Sequence, residues 1–377
     1  MNKCLDIVFI GLSLSSAWGN GHATTYRALL RGLKSKGCRL TFLERDVPWY
    51  AAHRDLPQPD FCDLFLYSDP DELMRRFGAR LLEADAVIVG SYVPDGVGVI
   101  DRVAALSPQR LCFYDIDTPV TLAKLDRSDA EYLARRQMHL FDLYLSFSGG
   151  TVLKTLERDY GVRKAAALYC AVDRDRYAPT GAPLVWDLGY LGTYSPDRQP
   201  GLERLLVEPA RRLPHMRFVV AGPQFPAGID WPDNVERVDH VSPADHADFY
   251  SRQRFTLNLT RADMVAAGWS PSVRLFEAAA CGVPIVSDYW HGLSGLLGNT
   301  VLIARDTEDV VAALSQLPEV RRQEIARDAN RIVLDRHTGE ARAGQLIATL
   351  KEMAGQARDA SSRSTNHREV PHAQTHA

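Results

Sequence analysis

Short, strongly apolar segments alternate with helix-like segments along almost the entire chain. In the first half, five segments rich in β-branched and aromatic residues are predicted to be strands, at 5–11, 38–44, 84–90, 110–115 and 142–147. Between them, segments such as 22–36 and 151–160 carry apolar residues at helical spacing. Strands that alternate with helices form parallel sheets covered on both faces, so the sequence predicts a doubly wound α/β fold.

The same alternation resumes after an irregular segment rich in Asp, Arg and Pro. Further strands are predicted at 187–192, 216–222, 255–259, 282–287 and 301–304, followed by a last helix at about 338–353. The sequence therefore predicts two Rossmann-like domains, at 1–170 and 184–355, joined by a linker at 171–183. Residues 356–377 are rich in Ser, Arg, His and Thr and are predicted to be a disordered tail.

Charge and cysteine content argue against several classes of function. The net charge is −3, with Lys and Arg spread along the chain, so nucleic acid is not expected as a partner. The six cysteines contain no Cys-x-x-Cys pair, so we expect no disulfide framework, no zinc site and a cytoplasmic location. The chain has no apolar run of about 18 residues, so no spanning helix is expected.

The beginning of the chain allows alternative interpretations. Residues 7–12 follow Lys3 and could belong to a signal peptide, but Asp6 interrupts the run and a glycine loop with a helix follows, which favours a buried strand. The predicted helix at 22–36 is basic, which fits a solvated face or a weak peripheral membrane contact. Its basic residues are Arg27, Arg31, Lys34 and Lys36.

The most informative segment is 268–288, in which a polar, Pro-containing loop leads into a short helix. Ser270 or Ser272 can cap this helix, whose free backbone N–H groups and positive dipole end suit a phosphate. Arg274 in the first turn adds a two-pronged donor for phosphate oxygens. Glu277 follows one turn later on the same face, where its carboxylate can accept hydrogen bonds from a ribose diol. The segment therefore predicts a nucleotide site.

This segment resembles the nucleotide-binding signature of GT-B glycosyltransferases. It is most similar to the CgeB-like glycosyltransferase family, which is related to the GT4-type group 1 enzymes. The similar stretches are Ser-Pro-Ser-Val-Arg-Leu-Phe-Glu at 270–277, Tyr-Asp-Ile-Asp-Thr-Pro at 114–119, Tyr-Leu-Gly-Thr-Tyr-Ser-Pro-Asp-Arg at 190–198 and Leu-Asn-Leu-Thr-Arg at 257–261. The resemblance covers about residues 5–350. It implies a GT-B architecture in which 1–170 lies on the acceptor side and 184–355 binds a nucleotide-diphosphate sugar.

The resemblance also implies roles for individual donor-site residues. Glu277 is expected to contact the donor ribose. Arg198 is expected to face the pyrophosphate, which is favoured over a solvated surface residue, and Gly192 would allow close backbone approach. A UDP-sugar is the expected donor, with no cofactor and no metal ion.

Two loops of the first domain contain candidate residues. Gly19, Gly21 and His22 lie between the first strand and the first helix, where small residues let backbone amides approach a diphosphate or an acceptor. They also fit a plain tight turn, with His22 capping or packing the helix. Asp117 follows the strand at 110–115 and could bind sugar hydroxyls or accept a proton from the acceptor hydroxyl. It could also be a helix cap.

Three further residues are expected on the donor wall of the second domain. Thr260 and Arg261 end a strand, where they fit either donor recognition or local bonding of the loop, and His240 is placed there by position alone. One departure from the resemblance concerns Trp269. Retaining GT-B enzymes with two spaced glutamates have an acid eight positions before the ribose-binding one, and here that position is Trp269.

The sequence thus predicts a glycosyltransferase, retaining and metal-independent, that acts on an unknown acceptor. Two alternatives stay open. One is a GT-B nucleotide-sugar epimerase, which needs no acceptor. The other is a non-catalytic nucleotide-sugar-binding protein in envelope or spore-coat assembly, which Trp269 in place of an acid would suit.

Overall fold

A computed structural model describes residues 4–18 and 21–366 of the chain. Seven strands form the sheet of the N-terminal domain: β1 (Asp6–Gly11), β2 (Arg39–Arg45), β3 (Asp63–Tyr67), β4 (Ala86–Gly90), β5 (Leu111–Asp115), β6 (Leu143–Ser146) and β7 (Ala165–Ala167). All of them are parallel, in the order β3-β2-β1-β4-β5-β6-β7. All of them therefore end at one edge of the sheet, which we call its carboxyl edge.

Helices cover both faces of this sheet. They are α1 (Gly21–Ser35), α2 (Pro48–Ala51), α3 (Pro70–Glu83), α4 (Gly96–Ala105), α5 (Thr118–Asp126) and α6 (Thr151–Tyr160), with a short 3₁₀ helix at Arg135–Leu140. Strands β4 and β5 lie at the centre and are buried along their whole length. Their continuous apolar sequences, AVIVG and LCFYD, are those expected of strands packed between two helical layers.

The C-terminal domain repeats this plan with six strands. They are β8 (Trp186–Leu191), β9 (Phe218–Ala221), β10 (Val235–Val238), β11 (Gln253–Asn258), β12 (Ile285–Ser287) and β13 (Val301–Ile303), all parallel, in the order β10-β9-β8-β11-β12-β13. The helices are α7 (Gln199–Leu202), α8 (Glu208–Arg212), α9 (His246–Ser251), α10 (Ala262–Ala267), α11 (Val273–Ala280), α12 (Leu293–Leu297), α13 (Thr307–Gln316), α14 (Glu319–Arg336) and α15 (Gly339–Asn366). A π-helical turn at Glu203–Val207 joins α7 to α8.

Three short strands have no counterpart in the sequence-based prediction. β3 and β10 are edge strands, and polar residues with partly exposed neighbours interrupt their apolar pattern. β7 consists of three alanines, which lack the β-branched or aromatic side chains that mark a strand. Each pairs with one neighbour only, so tertiary pairing decides its conformation more than its own sequence does.

The last helix crosses back to the N-terminal domain. Val172 at the start of the linker pairs with Thr338 in an isolated parallel bridge, so the outward and return crossings lie side by side. α15 then packs against α1 so closely that a Cβ atom on Gly32 would lie 2.3 Å from the carbonyl oxygen of Gly339. The helix runs to Asn366 and so covers 356–366, part of the segment predicted to be a disordered tail.

The two doubly wound domains confirm the predicted fold class, and the architecture is GT-B. Loops from the two sheets meet directly: Gly149 N–H of the N-terminal domain donates a hydrogen bond to the Trp269 carbonyl (3.0 Å). The Ser148 and Ser270 hydroxyl groups are also hydrogen-bonded across the same junction. Since Gly149 follows β6 and Trp269 follows β11, the domains meet at their carboxyl edges, where ligands bind in such sheets.

Candidate functional site

Arg274 is buried where β8, β11 and α11 meet. Its Nε–H donates to the Leu191 carbonyl (2.5 Å), and its Nη1–H donates to Asn258 Oδ1 (3.2 Å) and to the Leu259 carbonyl (3.4 Å). The guanidinium also lies over the Tyr190 ring, 5.0 Å from its centre. The side chain is therefore fixed by the ends of two strands, and it brings a positive charge to the loop after β8.

Two more arginines lie near Arg274. Arg198 donates from Nη2 to the Thr193 carbonyl (2.7 Å), while its buried Nε–H has no hydrogen-bond partner among the described residues. Burial lowers the pKa of Arg198, and the positive charges of Arg274 and Arg261 lower it further. Three guanidinium groups that repel one another, one with an unused buried donor, are a candidate site for an anion.

Glycines let two strand ends come together beside this arginine cluster, which we define as Arg198, Arg261 and Arg274. A Cβ atom on Gly192 would lie 2.7 Å from the Tyr190 hydroxyl and 2.8 Å from Arg274 Nη2. Gly222 after β9 has φ of +136°, and a Cβ there would lie 2.1 Å from the Gly192 carbonyl oxygen. Gly222 therefore requires glycine, and a side chain at Gly192 would displace the Tyr190 hydroxyl or Arg274, so the backbone of the loop after β8 is held next to Arg274.

Glu277 lies within α11 in a network of phenol and imidazole groups. Its Oε2 accepts a hydrogen bond from the Tyr250 hydroxyl (3.3 Å). The Tyr177 hydroxyl, which is 3.2 Å from His246 Nδ1, also interacts with Glu277, whose negative charge adds to burial in raising the pKa of Tyr177. Tyr177 belongs to the linker and His246 to α9, so three elements orient this carboxylate.

The predicted serine cap on α11 does not form. Ser272 occupies the N-cap position, but its hydroxyl donates to Asn258 Oδ1 (2.8 Å) rather than accepting from the helix. Ser270 is buried at the domain junction against Ser148. The first backbone N–H groups of α11 therefore have no side-chain cap.

Thr260, after β11, is bonded to the neighbouring loop that follows β12. Its N–H and its hydroxyl donate to the two carboxylate oxygens of Asp288, at 3.0 and 2.9 Å. Both donors of Thr260 are therefore used within the protein. Arg261 is different: it is exposed, and its side chain forms no hydrogen bond or ion pair with the described part of the chain.

The other predicted glycine and histidine residues of the site make fewer contacts than those described above. His240 is exposed just after β10, near His246, whose pKa is lowered chiefly by burial. Gly21 starts α1 with open space where a Cβ would be. Gly19 lies outside the described residues.

Asp117 lies on the opposite wall, directly before α5. It has the N-cap position of that helix but makes no side-chain cap, so the capping alternative does not hold. Its Oδ2 accepts from the Tyr92 hydroxyl (3.3 Å). Burial raises the pKa of Asp117, while the positive charge of Arg261 in the other domain lowers it. The charge of Arg261 is therefore close enough to Asp117 to act on its carboxylate.

Asp115 is the structural partner of Asp117. Fully buried, it accepts hydrogen bonds from Tyr144 Oη (2.6 Å), Thr121 Oγ1 (2.7 Å) and the Asp117 N–H (3.2 Å). Burial raises the pKa of Asp115 to about 6 despite these donors. The carboxyl group thus holds β6 and α5 together beneath Asp117.

His22 and Asp117 are joined through Tyr92. The His22 ring meets the Tyr92 ring edge-on, with centroids 5.2 Å apart. Burial lowers the pKa of His22 to about 4, so the imidazole is neutral at pH 7, with one ring nitrogen a hydrogen-bond donor and the other an acceptor. The two residues predicted to be catalytic therefore contact the same phenol.

Trp269 fills the place where the resembling enzymes have an acid. It has φ of +48°, in the left-handed region that disfavours bulky residues. Its indole is packed against glycines of both domains: a Cβ on Gly150, Gly292 or Gly295 would lie within 2.2, 2.3 or 2.4 Å of the ring. Trp269 is thus part of the domain junction, beside Ser270.

Several residues of the site were missed by sequence reasoning. Tyr92 has φ of +63° and contacts both His22 and Asp117, but only its position after a predicted strand could have indicated it. Tyr177 was placed in a linker, and Tyr250 in no site at all. Both lie near Glu277 because of the way the chain folds around it, and local sequence does not show this.

The described residues contain neither a cluster of metal-ligating side chains nor a membrane-spanning helix. No group of three or more His, Cys, Asp or Glu side chains is placed to hold a metal ion among them. No helix within 4–18 and 21–366 is long and apolar enough to cross a membrane.

Comparisons with known proteins agree with this architecture. Three solved structures with the same fold are a sucrose-phosphate synthase from Thermosynechococcus elongatus (TM-score 0.61, 13% identity, 93% of this chain and 100% of that one), HepE from Anabaena in complex with UDP-glucose (0.64, 14%, 92% and 100%), and an alpha-glucosyltransferase in complex with UDP and a 13-mer DNA (0.64, 11%, 92% and 99%). A comparison with curated proteins gives no match. Residues 198–348, which contain the arginine cluster and Glu277, match the family model described as Glycosyl transferase-like.

Proposed function

We propose that this protein is a glycosyltransferase that takes a sugar from a nucleotide-diphosphate donor, most specifically a UDP-sugar. The arginine cluster carries the proposal, because it gathers positive charge and an unused buried donor where α11 begins. The match of 198–348 to a glycosyl transferase-like family model supports the same reaction class. UDP is favoured as the leaving group because two of the structural neighbours are complexes with UDP or UDP-glucose.

In the proposed reaction, the bond between the anomeric carbon and the β-phosphate oxygen breaks, and the acceptor hydroxyl oxygen bonds to that carbon. Negative charge builds up on the departing diphosphate, and Arg198, Arg261 and the first N–H groups of α11 stabilise it. Glu277 binds the ribose diol. Arg274 contributes charge from its fixed position behind Gly192.

The residues that interact with the acceptor hydroxyl are Asp117, His22 and Tyr92. We propose that the anomeric configuration is retained, because 270–284 resembles retaining enzymes. The proton of the acceptor hydroxyl then passes to the leaving diphosphate, and Asp117 is hydrogen-bonded to a reacting hydroxyl. NMR of the product anomeric proton tests this. An inverted product would instead make Asp117 the base that accepts the proton.

Metal independence is part of the proposal, since guanidinium groups supply the charge that a divalent ion would otherwise supply. Turnover should be unchanged after treatment with EDTA. Loss of turnover that Mg²⁺ or Mn²⁺ restores would contradict it.

A thermal-shift panel with UDP, GDP, dTDP, ADP and CMP tests the donor site first. A ligand that binds only the folded state stabilises it by about 2.7 kcal/mol at roughly 100 times its dissociation constant. We expect UDP to give the largest shift, and Glu277→Ala to abolish it. Glu324→Ala, on the exposed surface of α14, is the matched control and should keep the shift. No shift with any nucleotide on folded protein would refute the donor site.

Turnover separates the proposal from its two alternatives. UDP release that depends on an added acceptor indicates transfer, while interconversion of the sugar without acceptor indicates epimerisation. UDP-sugar binding with neither product would indicate a binding protein, the alternative that Trp269 in place of an acid suits.

A further inference from the structure

An exposed tryptophan lies at the carboxyl edge of the N-terminal domain. Trp18, in the loop between β1 and α1, is 57% exposed. One face of its indole stacks on the His53 ring, with centroids 4.5 Å apart and planes inclined by 13°. A large aromatic side chain supported on one side and open to solvent on the other offers a flat binding surface.

Hydrogen bonds to carboxylate groups fix the backbone of the loop that carries Trp18. Glu44, at the end of β2, is completely buried and accepts hydrogen bonds from the Leu14 N–H (2.7 Å), the Ser15 N–H (2.9 Å) and the Ser15 hydroxyl (2.6 Å). The Ala17 N–H donates to Asp55 (2.9 Å). An exposed ring on such a braced loop loses little conformational entropy when a ligand binds, which is a property of binding sites rather than of random surface.

A second tryptophan is exposed at the same edge. Trp49 lies on α2, after β2, and is 55% exposed. The two loops adjoin, because the Leu56 N–H donates to the Ser15 carbonyl (2.9 Å). We call the stacked pair of Trp18 and His53 the aromatic surface. Trp18 lies between β1 and α1, whose first turn carries His22, so the aromatic surface is at the same edge of the sheet as the residues proposed to interact with the acceptor hydroxyl.

The charges around the aromatic surface are paired. Arg27 makes two hydrogen bonds to Asp55 (2.7 and 2.8 Å), and Arg54 is paired with Asp46 (2.5 Å). On the first helix, Arg31 is also paired, with Asp173 (2.7 Å). Attraction to an anionic membrane needs unpaired basic residues next to the aromatic ones, and here the charges cancel.

We propose that the acceptor is a saccharide, one ring of which stacks on the open face of Trp18. A sugar ring has apolar C–H faces and a hydroxyl rim, so it suits an aromatic plane with an exposed carboxylate beside it, and Trp18 has such a neighbour in Asp55, which is bonded to the adjacent Ala17 N–H and is 54% exposed. Its free hydroxyl would then point along the carboxyl edge towards His22 and Asp117. The inference rests on the proposed function and assigns the class of its acceptor.

Saturation-transfer-difference NMR with maltotriose, cellotriose and chitotriose tests the proposal, using the full chain with saturating UDP and each sugar up to about 10 mM. We expect at least one of them to bind, and Trp18→Ala to weaken it roughly tenfold or more. Phe65→Ala is the matched control, since Phe65 is an exposed aromatic within β3, away from the carboxyl edge. Melting temperatures confirm that both variants fold.

The outcomes separate the acceptor class from the donor function. No binding by any of the three sugars, or binding that Trp18→Ala leaves unchanged, overturns the proposal. So does binding to phosphatidylcholine–phosphatidylglycerol vesicles that Trp18→Ala abolishes when no sugar binds. Saccharide binding that depends on Trp18, in a protein that binds no nucleotide, supports the saccharide surface and refutes the glycosyltransferase proposal.

Discussion

The two walls of the cleft are built in different ways. On the C-terminal wall, Arg274 and Glu277 come from one helix, and fixed positive charge dominates. On the N-terminal wall, His22 comes from the first turn of α1 and Tyr92 and Asp117 from two separate loops, and burial shifts the pKa of His22 down and that of Asp117 up. A diphosphate always presents the same charge, so permanent cations suit it. A hydroxyl that must lose a proton requires groups whose charge can change.

The largest effect should follow from changing Asp117. We expect Asp117→Asn to lower kcat by roughly 100-fold while the dissociation constant of UDP stays within about twofold, because a neutral amide holds the reacting hydroxyl more weakly than the carboxylate does. UDP release and calorimetric UDP binding measure the two quantities. Asp129→Asn, an exposed change just after the same helix, is the control. Equal losses in kcat and UDP affinity would show that the two walls are not functionally separate.

Changing Arg274 should affect stability before it affects binding. Arg274→Ala leaves the Leu191 and Leu259 carbonyls and Asn258 Oδ1 without this donor, and each unsatisfied buried group costs about 1–3 kcal/mol. We expect the free energy of unfolding in urea to fall by about 3 kcal/mol. Arg261→Ala should change it by less than about 0.5 kcal/mol. Similar stability of the two variants would mean that Arg274 is not structural.

The same contrast explains what could be predicted from sequence. The fold could be predicted from the spacing of apolar residues in the helices and from the apolar composition of the strands, because strands buried on both faces must be continuously apolar. Arg274 and Glu277 could be found because one helical turn separates them in sequence. That Arg274 bonds to strand ends rather than projecting freely depends on the end of β8, far away in the chain. Local sequence could not show this.

Tyr92 illustrates the limit on the N-terminal wall. Its contacts with His22 and Asp117 depend on the order β1-β4-β5 in the sheet, which brings together loops that are distant in sequence. Its left-handed backbone is unusual for tyrosine, so no propensity rule would place it there. Residues that act through assembled loops are recoverable only once the topology is known.

Stability should depend on pH through the N-terminal wall. Asp115 has a folded-state pKa of about 6, above the unfolded value of about 3.9, so its contribution is present at low pH and is lost as pH rises through 6. We expect the difference in unfolding free energy, wild type minus Asp115→Asn, to fall by about 2–3 kcal/mol between about pH 4 and pH 7. The lowered pKa of His22 acts on stability in the opposite direction, but it does so in both proteins, so its contribution cancels in this difference. A flat difference across this range would show that Asp115 is already ionised at pH 4.

The smallest effect concerns the exposed cation of the C-terminal wall. Arg261→Ala should weaken UDP binding about tenfold at low salt, since one charge-assisted contact at an exposed site is lost. Because an exposed charge is screened, the difference from wild type should shrink towards about twofold in roughly 0.5 M NaCl. Calorimetry at both salt concentrations measures this, with Arg331→Ala on the outer face of α14 as control. A salt-independent loss would mean that Arg261 binds the nucleotide from a desolvated position, and that the cleft closes over the diphosphate with Arg261 buried against Asp117.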